Sequence, residues 1–168
     1  MSQVSETFRE QQAAYSSGED RPLGSYVVTM AVYGGLVGGL AALARLTGRR
    51  PPKVRPWDLA LMTIATHKIA RTLTKDPVTS PLRAPFTKYE GTSGPAELAE
   101  EVRGAGARHA VGELITCPFC TAQWVATAYA AGLVFAPGAT RLAGVTMTAV
   151  AGADWLQLGY ARLQQAAT

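Results

Sequence analysis

The chain's 168 residues leave room for one domain, and at 17% charged residues, against roughly 25% in an average soluble domain, long stretches must be uncharged. Sixteen Lys and Arg against twelve Asp and Glu leave a net charge of +4, but the basic residues flank apolar segments instead of clustering, which argues against a nucleic-acid partner. Two cysteines exclude a scaffold stapled by several disulfides.

The first 23 residues lack the basic and apolar regions of a signal peptide and read as a disordered polar tail; residues 24–168 read as a single helical membrane domain. Residues 24–46 are apolar until Arg45 and match the ~20 residues that a spanning helix needs. Within them Gly34/Gly38 and Gly35/Gly39 form overlapping G-x-x-x-G pairs, a flat helix face for close packing, expected first within this chain and second in a homo-oligomer. Pro51 and Pro52 break the chain before a second helix, 57–73. Its first half is apolar; its end carries His67, Lys68 and Arg71, and Lys75 continues the face shared by residues 68 and 71.

Prolines 77, 81 and 85 forbid regular helix, so 75–94 reads as extended or turning, with Asp76 and Arg83 expected to pair across the turn. Residues 95 to about 108 read as a short helix with Ser93 as its cap. Two more apolar segments follow, 119–136 with Pro118 in the first turn and 139–160 after Pro137-Gly138. Trp155 and Tyr160 suit an interfacial aromatic belt.

The expected fold class is therefore all-α, a helical integral membrane protein. Charge chooses between three spans and four. With four spans neither side collects an excess of Lys and Arg. With three spans and helix 57–73 interfacial or half-inserted, thirteen basic residues lie inside, and only Arg9, Arg21 and Arg141 lie outside. That arrangement also avoids burying Lys68 and Arg71, at roughly 2.5–3.5 kcal/mol each. The expected layout is thus an integral membrane protein with its tail outside and 47–116 cytoplasmic, the segment 57–116 folding against the spans.

Cys117-Pro118-Phe119-Cys120 is the sharpest chemical feature, because two thiols three apart at a helix start lie close together and the helix N-terminus favours a thiolate. A redox pair, a metal site and plain packing all remain open. The metal reading needs more ligands, and His109 and His67 are the only histidines for a zinc ion held by Cys117 and Cys120. The basic face of His67, Lys68, Arg71 and Lys75, with Asp76 and Arg83 beyond, points to anionic lipid headgroups or to anchoring. No complete catalytic set is visible. The leading expectation is a non-enzymatic scaffold or accessory protein that meets the bilayer, anionic headgroups or a membrane partner, and requires no cofactor.

The run HKIARTLTKDPVTSPLRAPFTKYEG followed by GELITCPFCTAQWVAT resembles the DUF1360 family of bacterial membrane proteins of unknown function. The residues that carry the likeness are Arg71, Asp76, Pro81, Arg83, Cys117, Cys120 and Trp124, within about residues 57–136. Phe119 stands where the family's pattern has Trp, and Gln123 where a small residue is commoner. The resemblance implies a helical membrane protein and brings no activity with it.

Overall fold

The computed structural model describes residues 2–16 and 21–167. Among the described residues seven α-helices and one hairpin follow in order: α1 Ser2–Ser16, α2 Leu23–Leu46, α3 Pro56–Lys75, α4 Ser80–Arg83, β1 Thr87–Gly94, β2 Glu97–Val102, α5 Ala107–Thr116, α6 Pro118–Phe135 and α7 Pro137–Ala166. The segment expected to be a disordered tail is thus helical over Ser2–Ser16, while Met1 and residues 17–20 lie outside the described residues.

Helix boundaries follow local chemistry. Proline stands at the first position of α3, α6 and α7, where its missing N–H has no intrahelical partner to lose. At the start of α3, Asp58 accepts the Arg55 N–H at 3.3 Å. Pro77 stops α3, and Asp76 turns to cap the following 3₁₀ turn Pro77–Thr79 by accepting the Val78 N–H at 3.0 Å.

Contacts between helices set their directions. Tyr26 of α2 donates to Glu113 at 2.5 Å, Tyr33 bonds Thr127 at 2.7 Å, and Arg49 donates to the Phe135 carbonyl at 3.4 Å, so α2 and α6 run parallel. Arg141 at the start of α7 donates to Asp58 at the start of α3, and further along Lys68 meets Asp154 at 2.6 Å, so α3 and α7 are also parallel. The short turn at Ala136 makes the two pairs antiparallel to each other. Ala65, Tyr129 and Leu133 form the buried centre, with Met62, Ile69 and Met147 against them. Burying Leu133 contributes about 2 kcal/mol. Gly144 makes the contact between α6 and α7 feasible, since a β-carbon there would run into the Tyr129 ring and hydroxyl.

This packing corrects the three-span layout. Residues 47–55 lie with the turn at 136, whereas the hairpin and α5 lie at the other end, so α3 runs back along the bundle instead of lying across it. Among the described residues, only α2 is long and apolar enough to cross a membrane by length and composition. Its 24 residues reach about 36 Å, enough for a hydrocarbon core of about 30 Å. The later segments fall short through Gln123 and two threonines in α6, and through Arg141 and Asp154 in α7. The glycine face of α2 is likewise not packed within the chain, for a β-carbon at Gly34, Gly35, Gly38 or Gly39 would meet nothing within 4 Å.

The expected helix after Pro95 is instead the second strand of an antiparallel hairpin, paired from Thr87↔Val102 to Gly94↔Glu97 with register shifts between Tyr89 and Gly91 and between Thr92 and Gly94. Pro95 and Ala96 make its turn, with Ala96 at a φ of 58°, a left-handed position that disfavours a β-carbon. Tertiary demand overrides the helical propensity of this acidic stretch. As a strand it delivers Glu97 to Arg71 and Glu100 to Arg83.

Candidate functional site

A cavity of about 680 Å³ opens between the second half of α3, the hairpin turn and the second half of α7. From α3 it takes His67, Lys68, Arg71, Thr72, Lys75 and Asp76; from the turn, residues 93–97; and from α7, Ala151, Asp154, Trp155, Gln157, Leu158 and Ala161. One wall is therefore charged and another apolar. Trp155 and Leu158 are each about half exposed there, at 54% and 49%.

The charged wall is compensated, not purely basic. Lys68 holds Asp154 at 2.6 Å. Arg71 donates through Nε to Glu97 Oε1 at 2.9 Å and through Nη2 to the same oxygen. Among the described residues, Lys75 has no carboxylate at ion-pair distance, and His67 has neither an ion pair nor a hydrogen bond; both line the cavity. The cavity thus keeps one cation, Lys75, uncommitted to a carboxylate.

Arg83 lies beneath the end of α3 and is 1% exposed. The expected Asp76–Arg83 pair is replaced by a pair with Glu100, which is 6% exposed at its side chain. The guanidinium also donates to the Leu73 carbonyl at 2.9 Å, the Thr79 hydroxyl at 2.7 Å and the Asp76 carbonyl at 3.1 Å. Thr79 in turn donates to the Thr72 carbonyl at 2.5 Å. These bonds satisfy carbonyls that a helix end leaves without partners and tie α3 to the hairpin. Arg83 is thus a clamp beneath the cavity, not one of its lining groups.

The cysteines are both free and occupy the N-terminus of α6, Cys117 half-buried and Cys120 exposed. Cys117 is the cap, its Sγ accepting the Cys120 N–H at 3.3 Å. The two thiols are unequal. Burial pushes the Cys117 thiol up, but hydrogen bonds from Cys120 and from the Phe119 N–H, together with the charge of Lys75, bring it below the ordinary value. Burial, helped by the neighbouring Cys117, pushes Cys120 up to about 11.

His109 does not join them. Its Nε2 faces Glu113 at 3.4 Å and its Nδ1 the Gly104 carbonyl at 3.3 Å. Among the described residues no three His, Cys, Asp or Glu side chains converge to hold a metal, so the zinc set Cys117, Cys120 and His109 is not assembled. Glu113 instead gathers Arg21 at 2.8 Å, Tyr26 and His109. Glu97, Glu100 and Leu158 are site or support residues that sequence reasoning did not single out, and Trp155, expected in an aromatic belt, lines the cavity. No periodicity marked the two glutamates, since Glu97 and Glu100 stand three apart in a strand without alternation and the stretch has a helix-favouring composition.

The model of a family described as "Protein of unknown function (DUF1360)" matches residues 61–160, a stretch that holds α3 from Leu61, the hairpin, both cysteines and α7 to Tyr160. The chain is also similar to "Sporulation protein YjcA" of Bacillus subtilis (strain 168), 32% identical over 71 residues, or 40% of this chain and 60% of that protein. The match therefore spans less than two thirds of that relative's length. No solved structure matches the chain.

Proposed function

The chain belongs to the DUF1360 family, and we propose that it is a membrane-anchored, non-enzymatic accessory protein whose cavity takes the phosphate-bearing headgroup of an anionic lipid. The observation that carries this reading is a cavity in which Lys75 and His67 are uncommitted to any carboxylate, opposite an apolar wall of Trp155, Leu158 and Ala151. An amphiphile needs both surfaces: a donor for its charged head and a greasy face for its chain. The location agrees, because the cavity opens toward the end of the bundle where α2 begins. An α2 that crosses the bilayer would bring that end to headgroup level.

Tryptophan quenching tests this on the full chain reconstituted in bilayers, with Trp57→Phe and Trp124→Phe leaving Trp155 as the reporter. Brominated lipid with an anionic headgroup should quench Trp155 more strongly than the same acyl chains on a zwitterionic headgroup. Lys75→Gln combined with His67→Gln should abolish the difference. Equal quenching by both lipids in the unsubstituted cavity would overturn the proposal.

A further inference from the structure

Beyond the cavity, we propose that Cys117 and Cys120 form a thiol–disulfide exchange site that acts on a disulfide-bonded protein segment, with Cys117 as the attacking and Cys120 as the resolving thiol. Four observations converge. Both sulfurs are free, and Cys117 sits outside the helical backbone as the cap of α6 with φ −97° and ψ 109°, so it can swing without unwinding the helix. Residues three apart on a helix have β-carbons roughly 5–6 Å apart, and a disulfide requires roughly 3.5–4.5 Å. A modest movement of the cap residue closes that gap.

The second observation is asymmetry of position. The Cys117 sulfur already accepts a backbone N–H at 3.3 Å, the arrangement that stabilises a thiolate at a helix start. Third, the positive charge of Lys75, from α3 and so from outside the motif and its helix, favours the Cys117 thiolate, after the hydrogen bonds at the helix start. Fourth, Phe119 stands between the two cysteines at 88% exposure. A large aromatic side chain presented to solvent between two reactive thiols gives an extended polypeptide something to lie against.

The reaction balances without an added cofactor. The Cys117 thiolate attacks one sulfur of the substrate disulfide, forming a mixed disulfide and expelling the other substrate sulfur as a thiolate, which takes a proton from water. Cys120 gives its proton to water and attacks the Cys117 sulfur, which closes the Cys117–Cys120 disulfide and releases the second substrate thiol. The substrate is reduced by two electrons and the protein dithiol is oxidised by two. A dithiol partner returns the pair to the reduced state by the reverse sequence.

The test uses oxidised glutathione as the disulfide probe on the purified full chain, read by intact mass with and without alkylation. The unsubstituted protein should lose two alkylatable thiols with no retained glutathione. Cys120→Ser should trap one glutathione on Cys117, and Cys117→Ser should react at least about tenfold more slowly at neutral pH. Lys75→Gln should shift the pH profile of the Cys120→Ser reaction upward, which a merely packed thiol would not show. Two glutathiones retained on the unsubstituted protein, or equal rates for the two single-cysteine variants, would overturn the proposal. Helical circular dichroism on each variant separates lost reactivity from lost fold. Because the decisive variants are at 117 and 120, outside the cavity lining, failure here leaves the headgroup reading standing, and the converse holds as well.

Discussion

Arg83→Met is the most informative perturbation of this molecule, because a single guanidinium closes the end of α3 and anchors the hairpin. The substitution strips hydrogen bonds from the Leu73 and Asp76 carbonyls and from Thr79, and leaves the carboxylate of Glu100 buried without its cation. Breaking a buried pair from one side costs about 3–5 kcal/mol. For a chain of this size each kcal/mol moves the melting temperature by about 2–4 °C, so Tm should fall by about 6–20 °C. Thermal unfolding in detergent, followed by helical circular dichroism, measures it. Arg83→Met combined with Glu100→Met should recover a large part of the loss, since two apolar side chains leave no stranded carboxylate. A loss below about 1 kcal/mol in the single variant, or a double variant no better than the single one, would refute this account of the clamp. The cavity should respond in parallel: with Glu100 released the strand that carries Glu97 loosens, and the Trp155 quenching contrast should shrink.

Two further perturbations probe the bundle itself. Gly144→Ala drives a β-carbon into Tyr129 and should cost about 1–3 kcal/mol, whereas Tyr129→Phe, which removes a buried hydroxyl with no hydrogen-bond partner, should be tolerated alone and should relieve Gly144→Ala when combined with it; denaturant melts of the three variants check both statements. Asp58, held well below the usual carboxylate range chiefly by Arg141, contributes stability that is complete above its unfolded value of roughly 4 and is lost as the pH falls below it, so Asp58→Asn should flatten the acid limb of a Tm-against-pH curve; an unchanged acid limb would show that the pair is not the acid-sensitive element.

Much of the helical framework was legible in the sequence, because it rests on local rules. Proline at the first turn placed the start of α6, the apolar run of residues 24–46 placed α2, and the spacing of residues 68, 71 and 75 sufficed to put three cations on one face. The motif Cys-Pro-Phe-Cys already implied two thiols at a helix start. What local rules could not reach were the partners. Arg83 stands seven residues from Asp76, yet its carboxylate comes from Glu100 on a strand, and Asp154 reaches Lys68 from 86 residues away. The strand itself was hidden, since an acidic stretch rich in Ala and Glu has helical propensity and becomes a strand only because two buried or half-buried arginines need its glutamates.

The charge count behind the span layout missed partners in the same way. Counting charges treated Lys68 and Arg71 as unpaired costs to be kept out of the bundle, but Asp154 and Glu97 supply compensating charges that only the packed structure brings within reach. By itself the sequence determined the extent of α2, the start of α6 and which cations of α3 share a face, since those depend on neighbours within one or two turns. Only the tertiary structure decided which charges cancel, which glycine is filled against and which left open, and which cation remains free to meet a ligand. Those outcomes depend on side chains that meet across tens of residues, where no periodicity in the chain records the encounter.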